Sequence, residues 1–302
     1  MFREYAVDPD VCSSSELFLL ILESFRQSKG RFLTRAPRNW MLRAKEALKE
    51  TGMGPNRRKG CMRQLQLVTD EVFIKLGSDK NFNQEEEWIN QLEKTDRFSE
   101  LTAAITLNSA TGVERQYTFE ELRIENESLW ESQSPIYVRR NARDIVDALE
   151  PLLKFSKEIV IVEPHFKVQR GDNNRHLNTI QEIISRRSNY NFSRGINRII
   201  VNCNGGDWAD DGFHEQMERE VKPMLPKGFK LEFRVWERAL MHDRYLLTDC
   251  GGIDLGIGFD ESSQNNPEEV KMSRLSNEAR KKEWNDYNNR EEAKNYFVLV
   301  GE

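Results

Sequence analysis

Cysteine is scarce and badly placed for any metal or disulfide framework. The four in this chain of 302 residues, Cys12, Cys61, Cys203 and Cys250, are widely scattered and form no CxxC pair. Zinc ribbons and small disulfide scaffolds are therefore excluded, and a reducing cytoplasm is the expected compartment. Long hydrophobic runs are missing as well. The run near the start, in "MFREYAVDPDVCSSSELFLLILESF", is too short to span a bilayer, is interrupted by Glu23 and follows charged residues. Neither a membrane span nor a signal peptide is read there. The chain has no internal repeat and no low-complexity tract. Histidine is sparse, with His165, His176, His214 and His242 the whole complement.

What the chain does have is charge, unevenly spread. The formal net charge is −5, but residues 26 to 64 hold twelve Lys or Arg against two Glu, so this segment is +10 and the remainder −15. A whole-chain balance of that sign disfavours a polyanion partner; a local concentration of cations restores the possibility. The length suits two domains, each large enough to bury its own core.

The first part reads as helical. Ser13 with Glu16 makes a capping box ahead of "LFLLILESF", Pro37 suits the first turn of "PRNWMLRAKEALKE", and "EEEWINQLEK" has its acids first and its lysine last. An acidic, polar stretch ending in "ESQSP" marks a boundary, giving a basic, mainly helical domain over residues 1–130 and a second domain over 138–302. The second has a different grammar. "RDIVDALEPLLKF" is an amphipathic helix in which Pro151 should place a kink, and "EIVIVEPHF" and "RIIVNC" are continuous apolar strands. "HLNTIQEIISRR" and "FHEQMEREV" are helices between strands. The order strand, helix, strand, helix, strand predicts a layered β/α domain around a buried sheet. "FKLEFRVW" alternates and reads as half-exposed, "NYFVLV" is a final strand, and "MHDRYLLTDCGGIDLGIGFD" folds as a hairpin around "DCGG".

That hairpin carries the chemistry. Residues i and i+2 of a strand share a face, so His242 and Arg244 should project together. An imidazole beside a permanent cation suits a phosphoryl group: the histidine attacks phosphorus or carries a proton, and the cation holds the equatorial oxygens. Asp249 or Asp260 is placed to orient the ring, and the glycines between them leave backbone amides open to an anion. The bland alternative is a hairpin whose histidine satisfies a local hydrogen bond.

"HDRYLLTD" followed by "GGIDLGIGFDESS" resembles the motif of the phospholipase D superfamily, H-x-K-x4-D followed by a glycine-containing strand. With "KEIVIVEPHF" upstream it is similar above all to the phospholipase-D-like C-terminal domain of MIT-domain proteins. The resemblance covers roughly residues 138 to 302. It implies a phospholipase-D-like layered β/α domain with a central mixed sheet, and a metal-independent phosphodiesterase in which His242 is the nucleophile. It also implies a homodimer, because two such histidines meet at one site and this chain carries one copy of the motif. Arg244 stands where the superfamily has lysine. Phosphate binding survives that change, whereas turnover comes into question.

Other residues weigh less. His165 and Glu163, at a strand end where layered β/α folds often hold ligands, are secondary candidates. His176 and His214 open helices and read as surface or capping residues. Asp207, Asp210 and Asp211 read as solvated or capping, so no metal and no cofactor is expected. In the basic segment, Arg31, Arg35, Arg38, Arg57, Arg58, Lys59 and Arg63 are the expected nucleic-acid contacts, reading phosphate backbone and not bases. The expectation is a nuclease, with defence against foreign DNA as its setting. Its alternatives are a phosphate-binding module for phospholipid, nucleic acid or nucleotide, or an adaptor recruiting a partner protein through the N-terminal domain.

Overall fold

The structure, a computed structural model, describes the chain apart from residues 76–81, 84–85, 110–112, 167–174, 188–195, 205–211 and 264. It divides into two units, Phe2–Gln133 and, together with Met1, Ser134–Glu302. Among the described residues no helix is long and apolar enough to cross a membrane.

The first unit holds more helix than strand, but its helices surround a parallel sheet that the reading of its sequence does not anticipate. It is built on a five-stranded parallel sheet, β1 (Arg3–Val7), β2 (Arg31–Arg35), β3 (Phe73–Lys75), β4 (Ala103–Ile105) and β5 (Gln116–Tyr117), in the order β3-β2-β1-β4-β5. The connections carry α1 (Ser15–Ser24), α2 (Trp40–Ala47), α3 (Pro55–Val72) and α4 (Trp88–Glu93), and α5 (Glu127–Trp130) follows the last strand. Strands of two to five residues are too short to show a period, and three of them carry charge. The two charged residues that are buried, Glu4 and Arg31, are tolerated because they have partners. Glu4 on β1 is buried against Arg97 and the Thr34 hydroxyl. Arg31 on β2 lies 4.1 Å over the Trp130 ring and donates Nε to the Trp130 carbonyl at 3.1 Å. Pro37 precedes α2, its carbonyl accepting from the Trp40 N–H, so it is not a residue of the helix.

The second unit is a mixed α/β layer. Strands β6 (Ile136–Arg139), β7 (Glu158–Val162), β8 (Arg198–Asn204), β9 (Lys230–Trp236), β10 (Tyr245–Thr248), β11 (Gly252–Asp254), β12 (Glu269–Arg274) and β13 (Asn295–Val300) form one sheet. Its order is β13-β9-β8-β7-β10-β11-β12-β6, with β7, β8 and β9 parallel and the remaining pairs antiparallel. Helices α6 (Ala142–Phe155), α7 (Arg175–Arg187), α8 (Gly212–Glu220) and α9 (Asn277–Asn288) complete it. Asn141 caps α6 by accepting from the Asp144 N–H, and the helix runs through Pro151 without ending. β9 is buried from Leu231 to Trp236, against the half-exposed reading. Its alternating Glu232 and Arg234 point inward as an ion pair at 2.8 Å, itself joined to Arg198, so polar residues occupy interior positions. The hairpin of β10 and β11 forms as expected, closed by the Thr248 N–H donating to the Gly251 carbonyl at 2.7 Å.

Candidate functional site

The carboxyl end of β7 and the entry to β10 lie side by side, because the two strands pair antiparallel with Val162 opposite Tyr245. Continued by one residue, this register sets Glu163 opposite Arg244; three residues beyond the last pair on each strand stand His165 and His242. The ladder itself stops at Tyr245. Pro164 has no N–H to offer a neighbouring strand, and the chain turns there, with the Phe166 N–H donating to the Glu163 carbonyl. Residues 241 to 244 are therefore irregular, and the shared strand face expected for His242 and Arg244 does not exist as such. Met241 is buried, His242 is exposed and Arg244 is half-buried.

Glu163 organises this corner. Its carboxyl group is 1% exposed, and burying a charge is unfavourable unless it is compensated. Compensation comes from three chain segments. Oε1 lies 3.4 Å from Arg244 Nε and accepts from the His165 N–H at 3.1 Å, while Oε2 accepts from the Phe259 N–H at 3.1 Å. The Arg244 Nε is shielded from solvent and makes no hydrogen bond, so Glu163 compensates it by charge at 3.4 Å and not by a formed hydrogen bond. Its side chain as a whole is 23% exposed, and NH1 reaches the Gly256 carbonyl at a long 3.4 Å.

The loop after β11 closes the corner. Gly258 has φ +139, a conformation open to glycine, and a β-carbon there would stand 3.0 Å from Asp260 Oδ1 and 3.3 Å from Glu163 Oε2. Asp260 pairs with Arg140 through both its carboxylate and its carbonyl, and Arg140 also binds Glu268. The first turns of α7 brace the same loop, Thr179 donating to the Phe259 carbonyl and Asn178 to Glu261. Arg140 was invisible to sequence reasoning, since its partner lies 120 positions away. The cue available in the sequence was the doublet "RR" directly ahead of the capped helix α6.

Of the four residues expected to form the catalytic group, the structure brings Arg244 and Asp260 to one corner and leaves His242 at its exposed rim. Asp249 lies elsewhere. It follows the far end of β10, on the order of 13 Å of strand away, and its carboxylate accepts from the Lys157 N–H at 3.0 Å. Asp249 therefore braces the start of β7 and cannot orient His242. Asp260 does not orient that ring either, because its carboxylate is committed to Arg140. No hydrogen bond or ion pair joins the His242 side chain to another described residue. His165 is exposed and Glu163 buried, both at the corner. His176 is no surface residue: it is buried with its ring 5.2 Å from that of Phe166. His214 lies tilted against Phe297, ring centroids 4.6 Å apart, beside Glu218. Asp207, Asp210 and Asp211 lie outside the described residues.

The basic segment separates into two groups. Arg31 is buried and engaged with Trp130 and the Ser24 carbonyl, which removes it from any nucleic-acid surface. Arg35 is half-buried and donates to the Arg38 carbonyl, leaving Arg38 exposed. Arg57, Lys59 and Arg63 are exposed on the opening turns of α3, with Arg58 half-buried and bonded to the Met53 carbonyl. The N-cap of α3 is Gly54, which supplies no side-chain acceptor, and no acid occupies the first turn. Cations at this end oppose the helix dipole, so their clustering is not explained by helix stability.

The chain matches no family model, no curated protein and no solved structure.

Proposed function

We propose that the second unit grips the phosphate of a phosphodiester at the corner formed by Arg244 and His242, and cleaves it without metal, with His242 as nucleophile. The carrying observation is the half-buried guanidinium: the Nε edge faces buried Glu163 at 3.4 Å, the side chain as a whole is partly exposed, and exposed His242 stands two residues before it in the chain. A cation fixed on one edge presents its other donors to an anion without paying the full cost of ordering on binding. The resemblance of "HDRYLLTD" to the phospholipase D motif supports the same chemistry. The exposed cations of α3 support a polyanion, DNA or RNA, as the molecule carrying that phosphate.

A second reading has its own observation. Among the described residues no carboxylate is bonded to the His242 ring to fix its tautomer, which leaves it poorly prepared for nucleophilic attack and favours a phosphate-binding module without turnover. One experiment separates the two. Full-length protein is incubated with labelled single- and double-stranded DNA, RNA and a chromogenic phosphodiester in excess EDTA. Cleavage lost in His242→Ala supports the enzyme. Retention of labelled DNA or RNA on filters with no cleavage in EDTA or in magnesium supports the binding module. Neither retention nor cleavage overturns both.

A further inference from the structure

A histidine that attacks phosphorus needs a second group to protonate the departing oxygen, and a bound phosphate dianion likewise gains from two donors set on either side. The resemblance implies that the second group is a partner's histidine. The structure offers another source. One oxygen of Glu163 holds both the Arg244 guanidinium, at 3.4 Å, and the backbone N–H of His165, at 3.1 Å. His165 follows Val162 and His242 precedes Tyr245 by three residues, both in the non-strand segments that leave this last pair of the ladder, and both are exposed. Pro164 and the 3.0 Å hydrogen bond from the Phe166 N–H to the Glu163 carbonyl set the turn, and Phe166 is buried against Phe233, so the backbone beneath His165 is fixed.

We propose that His165 is the second imidazole of this site, so that one chain supplies His165, His242 and Arg244 to the same phosphate and no partner subunit is required. The inference rests on the phosphate site proposed above. In turnover, the His242 lone pair attacks phosphorus, the bond to the leaving oxygen breaks, and that oxygen takes the proton of the His165 imidazolium. Water then gives a proton to His165 as its oxygen displaces His242, whose nitrogen recovers the electron pair of the phosphorus–nitrogen bond. Glu163 is a positioning residue that ties the two segments together.

The test uses the full chain labelled with 15N at its histidines, the ring signals assigned through His165→Gln and His242→Gln, and inorganic phosphate as the probe. Both rings should shift along one binding curve, and His165→Gln should weaken phosphate binding about tenfold. A shift of the His242 ring alone, with His165→Gln binding as the parent does, would leave the phosphate site standing and overturn the role of His165. No shift of either ring would remove the site itself, and this inference with it. Mixing the two Gln variants should restore none of the cleavage that the parent shows. Recovery in the mixture would place the second imidazole on another chain and overturn the single-chain site.

Discussion

At the scale of the residue, Arg244 and His242 should answer to substitution in different ways. A guanidinium contacting phosphate contributes in the ground state and in the transition state alike, so Arg244→Ala should weaken phosphodiester binding roughly 10- to 100-fold, the worth of a charged hydrogen bond. Arg244→Lys keeps the charge on a compact ammonium and should retain binding within a few-fold. His242→Ala should leave affinity nearly unchanged if the ring forms its bond only during reaction, while abolishing turnover. Filter binding and gel-based cleavage on the same three variants read out both quantities; an equal loss of affinity in His242→Ala and Arg244→Ala would mean that the histidine is a grip and not a nucleophile. A second residue offers a pH test. Half-buried Asp8, after β1, is pushed up from 3.8 to about 6, chiefly by loss of solvent, although its carboxylate accepts from the Asp10 N–H. The native state thus keeps this proton longer than the unfolded chain, and stability falls as pH rises from about 4 to 6. Asp8→Asn retains an acceptor and removes the charge, so it should stabilise the protein at pH 7 by about 1–3 kcal/mol and have little effect at pH 4. Urea unfolding at the two pH values checks it.

At the scale of the element, legibility followed strand length and burial. β7 and β8 were readable because "EIVIV" and "RIIVN" are apolar on both faces, as central parallel strands must be. β9 misled because Glu232 and Arg234 neutralise each other inside, so alternation in hydropathy did not mean alternation in exposure. The first unit's strands are hard to read for a different reason: "RFLTR" and "REYAV" carry charges whose partners, Trp130 and Arg97, lie far along the chain. The candidate corner was half legible. His242, Arg244, His165 and Glu163 are local to two motifs, whereas Arg140 joins them only through the fold, and Asp249 was misassigned because a fixed spacing along a strand places its two ends apart. The glycine-rich turn gives this level its prediction. Gly258→Ala meets both a φ of +139 and two carboxylate oxygens at 3.0 and 3.3 Å, so it should cost about 1–3 kcal/mol and also weaken phosphate binding by displacing Glu163. Gly228→Ala, with φ +74 and nothing within 4 Å, should cost stability alone. Equal binding by the two variants would detach Glu163 from the site.

At the scale of the whole molecule, the question is whether the net charge of −5 or the local excess of +10 governs its partners. Long-range repulsion between an acidic protein and a polyanion is screened over about 8 Å at physiological ionic strength, so a cluster on the contacting face can prevail over distant acids. The helix α3 collects Arg57, Lys59 and Arg63 on its opening turns, with Arg58 beside them, at the end where its dipole disfavours cations. A surface kept cationic against local stability is best accounted for by a ligand that repays it. If that ligand is the backbone of DNA or RNA, each phosphate contact releases counterions and adds close to one unit to the slope of log affinity against log salt. Reversing Arg57, Lys59 and Arg63 to Glu should therefore weaken binding to every sequence by a similar factor and flatten that slope by roughly two to three units. Arg31→Glu serves as the contrast: buried over Trp130, it should unfold the first unit and not merely weaken binding. The measurement is a salt titration of fluorescently labelled single- and double-stranded oligonucleotides, with circular dichroism confirming that the triple variant stays folded. A triple variant that binds with the parent's affinity and the parent's slope would return these cations to ordinary surface and leave the phosphate corner of the second unit to find its substrate unaided.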